Sequence, residues 1–246
     1  MLLKLSDRDL DVGWGNRGGR GGRAVGGGVA STADAVSCVI PGRPDLDDVQ
    51  AALADLFFVP LSVSLSGGGT YERGQSIASR DLTWTASKAL ASQAITGGGV
   101  GALDPADRAA TAAGPFTTDT TWTLTATATS GESDSASTTL AFRSRRHWGV
   151  STADELDDAA VLALAGGELA TSRLQTRTLD ATGGRFLWFA WPAEFGAPAF
   201  WVGGLLNTDW IETIRDHTNA HGHTRSYRLY RSGSIQTGAA IPVEVR

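Results

Sequence analysis

The run from Arg185 to Gly204, RFLWFAWPAEFGAPAFWVGG, constrains this chain more than any other stretch. It carries three of the eight tryptophans and four of the eight phenylalanines, broken by Pro192, Gly196 and Pro198. Aromatic residues alternating with small ones suit strands covered on both faces, and proline and glycine set the bends between such strands. A catalytic motif would instead show titratable residues at fixed spacing. The aromatic density implies an all-β unit held by a few large side chains, and points first to an assembly or adhesion protein.

The rest of the chain sets the scale of that unit. With 246 residues, 41% of them hydrophobic and 19% charged, it has enough apolar material for two modest β domains and an extra N-terminal segment. A formal net charge of -5 argues against a nucleic-acid-binding body. Cys38 is the only cysteine, so an intrachain disulfide and a multi-cysteine zinc site are both excluded. The opening MLLKLSDRDLD lacks the apolar core of a signal peptide, and no run is long enough to span a bilayer. Folding in a reducing cytoplasm, without membrane insertion, is the expectation.

Three parts are expected: residues 1–59, 60–143 and 144–246. In the first, DVGWGNRGGRGGRAVGGGVA is too rich in glycine to build a core and should order only against a partner. Its Arg17, Arg20 and Arg23 fit an RNA-tracking arm less well, because no aromatic platform accompanies them. DLDDVQAALADLFF, from Asp45 to Phe58, then reads as an amphipathic helix, with Pro44 before it, Pro60 after it and acidic residues in its first turn. A helix this short needs a partner for its apolar stripe. Leu46, Val49, Leu53 and Leu56 are the candidate interface in a homo-oligomer.

From Pro60 to Arg143, LSVSLS, DLTWTAS, TTWTLTATAT and SASTTLAF alternate threonine or serine with apolar residues, which gives each strand one buried and one wet face. Gly67 to Gly69, Gly97 to Gly99 and SGESD at 130–134 read as turns. Short strands at this spacing predict an immunoglobulin-like β-sandwich with Trp84 and Trp122 in its core. After Trp148, TADELDDAAVLALAGGELATS reads as carrying a short helical or turn segment, and the remainder returns to strands. Hairpin turns are expected at Gly183 and Gly184 and at SGS 232–234, and Pro242 marks the closing strand as an edge or bulge. The predicted fold class is therefore mainly β: a docking segment with one short helix, an immunoglobulin-like sandwich, then a second β domain.

The order of DLDDVQAALADLFFVP, TTWTLTATATSGESDSASTTLAFR, the junction HWGVS, FLWFAWPAEFGAPAFWVGG and YRLYRSGSIQTGAAIPVEV resembles the C-terminal region of fibre or spike proteins of tailed bacteriophages, prophages and gene-transfer particles. The likeness covers Asp45 to Arg246. It implies a virion appendage, often trimeric, assembled in the bacterial cytoplasm, joined to other virion proteins by its N-terminal part and touching the host surface.

For site chemistry, a surplus of tryptophan near Asn207, Asp209 and Arg215 suggests a glycan-binding surface. Trp191 and Trp210 are its candidate platforms, and Trp188 and Trp201 are assigned to the core. Asp154, Glu155, Asp157 and Asp158 form an acidic cluster, read as a solvated face; as a catalytic pair it would belong to a carbohydrate-active enzyme. His221 and His223 are weak metal candidates, since Asn219 to Gly222 reads first as a hairpin turn. The chain has no nucleophile elbow, and GGGVGALD at 97–104 reads as a loop between strands rather than a dinucleotide site. A non-enzymatic protein without cofactor is expected. A non-viral carbohydrate-binding adhesin is the other binding alternative.

Overall fold

The computed structural model describes residues 59–246. The glycine and arginine segment, and the Asp45 to Phe58 helix with Leu46, Val49, Leu53 and Leu56, lie outside the described residues. Pro60–Arg246 form one compact unit, and it is mainly β, with two lobes. Among the described residues no helix is long and apolar enough to cross a membrane.

The first lobe contains β1 (Val63–Ser66), β2 (Gly69–Glu72), β3 (Ile77–Ala86), β4 (Leu90–Thr96), β5 (Gly101–Leu103), β6 (Ala109–Phe116), β7 (Thr120–Ala128) and the first half of β8 (Ser133–Ser151). One sheet has the order β1-β3-β6. The opposing one runs β5-β4-β7-β8, with β2 added parallel to β8. This is the strand arrangement of an immunoglobulin-like sandwich. Period-two patterning turns Leu82, Trp84, Phe116, Ile95, Trp122, Leu124 and Phe142 inward from the two sheets. Trp84 and Trp122 are both buried, as expected. The indole N–H of Trp84 donates to Gln93 Oε1 at 2.8 Å, so this buried polar pair satisfies itself across the core. Outward, threonine and serine pair across β7 and β8: Thr121 with Thr139 at 3.0 Å and Thr123 with Ser137 at 2.9 Å.

The turn Gly97 to Gly99 joins β4 to β5, so GGGVGALD is a hairpin connection. Gly98 has φ +56°, and a Cβ placed there would sit 2.1 Å from Trp122 Nε1. Gly98→Ala combines a left-handed backbone with intrusion on a buried indole, and should cost at least about 2 kcal/mol in urea unfolding. A loss below about 0.5 kcal/mol, the range of ordinary surface substitutions, would show that the turn yields easily.

The second lobe contains the rest of β8, α1 (Asp158–Leu162), β9 (Gly166–Ala170), β10 (Gln175–Leu179), β11 (Phe186–Pro192), β12 (Phe200–Val202), β13 (Leu205–Asn207), β14 (Trp210–Thr218), β15 (Thr224–Ser232) and β16 (Ile241–Val245). Its larger sheet has the order β14-β15-β11-β8 and its smaller one β10-β16-β12-β13. β11 lies between β15 and β8 with both faces covered. Leu187, Phe189 and Trp191 meet the smaller sheet, and Trp188 and Ala190 meet Leu156 and Val161 around α1. That double coverage is why FLWFAWP reads as an unbroken apolar run.

Two local expectations are corrected. Gly183, Gly184 and the SGS at 232–234 connect strands of different sheets, so they are not hairpin turns; the tight hairpins are β12–β13 and β14–β15. Pro242 does not mark an edge, because β16 is paired on both sides. The Pro242 carbonyl accepts from Gly203 N at 3.0 Å. Its missing N–H therefore faces the Gly203–Gly204 turn, where β12 has already ended and the ladder needs no donor.

The boundary expected between residues 143 and 144 falls inside β8. The first half of this strand is flanked by β7 and β2, and the second half by β11 and β9. Each lobe has its own core, but the two share this strand instead of a linker. The β14–β15 turn adds a clamp, with Asn219 Nδ2 donating to Arg73 O at 2.7 Å and to Glu72 Oε1 at 3.1 Å. Arg145 Nε donates to the other oxygen of the buried Glu72 at 3.0 Å.

Candidate functional site

The concavity that best combines aromatic and polar groups lies where β12, β13 and the edge strand β14 meet. It holds roughly 370 Å³ and is lined by Pro198, Phe200, Leu206, Asn207, Trp210, Glu212 and Tyr230, among others. β14 places Trp210 and Glu212 two residues apart on one face, and Glu212 stands directly opposite Tyr230 on β15. Phe200, projected from β12, stacks on Trp210 with centroids 3.9 Å apart and an interplanar angle of 16°. Behind them Trp191 stacks on Tyr230 at 5.0 Å and 28°. The aromatic wall is thus continuous with the core.

The polar groups are arranged around that wall. The Tyr230 hydroxyl donates to Glu212 Oε1 at 2.5 Å, and Arg228 pairs with the same oxygen. Burial opposes the ionised form of Glu212, but the hydrogen bonds from Tyr230 and Arg228 outweigh it and hold the carboxyl below its usual range. Burial, and then the hydrogen bond to Glu212, push the Tyr230 phenol up to about 12. Asn207 Oδ1 accepts from the Asp209 N–H at 2.8 Å, and its Nδ2, a donor, makes no hydrogen bond among the described residues. The arrangement offers an apolar platform with one acceptor and one donor beside it, the chemistry that binds a sugar ring.

The sequence candidates divide. Trp210 and Asn207 line the cleft. Trp191 does not present a face to a ligand: it is 0% exposed, because β11 is an interior strand covered by the smaller sheet. Trp201, assigned to the core from sequence, is partly exposed and lies under the Arg246 guanidinium, 4.5 Å from its ring centroid. Arg215 lies on the opposite face of β14 from Trp210, as an odd offset requires. It pairs there with Asp158 at 2.6 Å and donates to Leu156 O at 2.9 Å. Asp209 points away to the 233–234 loop, its carbonyl accepting from Gly233 N at 2.8 Å. Phe200, Glu212 and Tyr230 were missed. The parity rule applied to Trp210 would have found Glu212, whereas Phe200 and Tyr230 arrive through strand pairing that no local pattern encodes.

The remaining chemical candidates have structural roles. His221 and His223 sit at a hairpin turn in which Gly222 N donates to Asn219 O at 3.0 Å. Among the described residues no group of three or more His, Cys, Asp or Glu is placed to hold a metal ion. Asp154, Glu155 and Asp157 are exposed, in keeping with a solvated face, and Asp157 caps α1 by accepting from Ala160 N at 2.7 Å. Asp158 is bound more tightly. Burial works against its charge, but the Thr218 N–H, Arg215 and His217 lower it to about 2.

No family model matches this chain, and no curated protein matches it. Among solved structures it is similar to the N-terminal eight immunoglobulin domains of Down Syndrome Cell Adhesion Molecule isoform 1.30.30, with 13% identity and a TM-score of 0.25. That match covers 72% of this chain and 23% of the other, so the chain spans about a quarter of its solved neighbour.

Proposed function

We propose that the chain is a structural subunit of a phage-like particle appendage, a fibre or spike. It joins other virion proteins through residues 1–59, self-associates as a homotrimer, and contacts host surface polysaccharide through its second lobe. The observation that carries the glycan contact is the cleft at Trp210, where a stacked aromatic wall stands beside the open groups of Glu212 and Asn207. The appendage reading rests on the order of segments in the sequence. Binding without cleavage is favoured because glycoside hydrolysis commonly uses two carboxyl groups across the scissile bond, and Glu212 is the one carboxylate lining this cleft.

One cleft buries little of a sugar, so single-site binding is expected to be weak and to gain strength from several copies on one particle. Asn207→Ala should lower retention of the purified chain on immobilised host polysaccharide about threefold to tenfold, the loss of one ligand hydrogen bond of about 1 kcal/mol, while the chain stays folded although the Asp209 N–H loses its acceptor. Trp210→Ala should abolish retention and reduce adsorption of particles to cells. Unchanged retention in both variants would remove the cleft from the proposal. Release of reducing sugar from the polysaccharide would move the case to an enzyme.

A further inference from the structure

The charged groups around the cleft are unequal in what they leave open. Glu212 Oε1 takes both the Tyr230 hydroxyl and the Arg228 guanidinium, while Oε2 makes no hydrogen bond among the described residues. Glu212 is also the one charged residue in the lining. An ionised carboxylate oxygen accepts hydrogen bonds and donates none, so whatever meets Oε2 must bring an O–H or N–H. A sugar hydroxyl does so. The carboxylate of a uronic acid or the sulfate of a sulfated sugar brings another acceptor of like charge, which Glu212 repels.

We infer that Glu212 sets the specificity of the cleft: it takes uncharged hexose units, with a hydroxyl donating to Glu212 Oε2 and a ligand oxygen accepting from Asn207 Nδ2, and it rejects uronic acids at the same position. This rests on the carbohydrate reading of the cleft and narrows it to a substrate class. The lowered proton affinity of Glu212 agrees, since the carboxylate stays ionised through the neutral range. Arg228 reduces the field of Glu212 but does not line the cleft, so it offers a ligand carboxylate no N–H there to offset the repulsion.

The probes are matched oligosaccharides of the gluco, galacto and manno series, each neutral or carrying C6 carboxylates, titrated against the full chain at pH 7 by tryptophan fluorescence. The wild type should bind at least one neutral probe on the order of tenfold more tightly than its uronic counterpart, a difference of about 1.4 kcal/mol. Glu212→Gln replaces an acceptor by an amide that can donate. It should weaken the neutral probe several-fold and strengthen the uronic one, closing or inverting the ratio. Asn207→Asp, on the short strand β13, keeps the acceptor for the Asp209 N–H and adds a second negative charge, so the ratio should widen even if the Glu212 variant fails to fold. A uronic probe bound by the wild type as tightly as its neutral partner, or a ratio unmoved in the folded variants, overturns this inference and leaves the carbohydrate reading intact. Binding of no probe overturns both.

Discussion

Trp191→Ala is expected to lower the unfolding free energy of the 60–246 unit by about 3–5 kcal/mol, read as a shift of the urea midpoint with little change in slope. The side chain is fully buried, stacks on Tyr230 and lies 6.1 Å from Phe200, and its indole N–H donates to Gly196 O at 3.2 Å. Its removal leaves a void between the two sheets and an acceptor without its donor. Phe200 and Tyr230 form the cleft wall, so sugar binding should weaken in the same variant although Trp191 touches no ligand. Trp201→Ala is the contrast: the ring is partly exposed, and its removal should cost clearly less. Equal losses in the two variants would contradict the burial described for Trp191.

Acid should weaken the fold well above the pH at which Asp158 titrates. His147 and His217 are buried, with ring centroids 5.7 Å apart in an edge-on arrangement, and the Nε2 atom of each lacks a hydrogen-bond partner. Burial, then the neighbouring His217 and Arg145, lower His147 to about 4 from an ordinary 6.5. His217 is also lowered, because burial outweighs its hydrogen bond to Asp158. The unfolded chain therefore binds protons in a range where the folded chain does not, and stability falls as pH drops from about 6.5 to about 4. For His147 the difference amounts to about 3 kcal/mol at the lower end, at 1.36 kcal/mol per pKa unit. Asp158 acts lower down: its folded value near 2 lies below the ordinary 3.8, so its contribution holds above 3.8 and disappears as pH falls through about 2. Chemical unfolding at pH 7, 5.5 and 4.5 should trace the upper slope, and His147→Leu should flatten it. A slope of the same size in that variant would place the titration elsewhere.

What could be read before the structure was whatever depends on local alternation. TTWTLTATAT shows its wet and dry faces directly, so Trp122 could be assigned to the core from its own strand. FLWFAWP announced coverage on both faces for the same reason. Strand order has no such signature. Trp191 and Trp210 look equivalent in sequence, yet one sits on an interior strand and the other on the sheet edge, and that difference alone decides which meets solvent. The cleft was therefore half legible: Trp210 and Asn207 were named, and Phe200 and Tyr230 were not, because β12 and β15 reach it from different sheets. His147 was read only as part of the junction HWGVS, since only the packing of β14 on β8 reveals that it is buried beside His217.

The unbroken run of β8 through both lobes fixes an angle. A linker would let each cleft swivel toward its ligand, whereas here the aim of the second lobe relative to the first is set by the twist of one backbone and locked by Asn219 against Glu72 and Arg73. Copies held in register on a particle would face their target like teeth of one comb. A surface presenting sugars at the matching pitch would engage many copies at once, and one with the same sugars at another pitch would engage few.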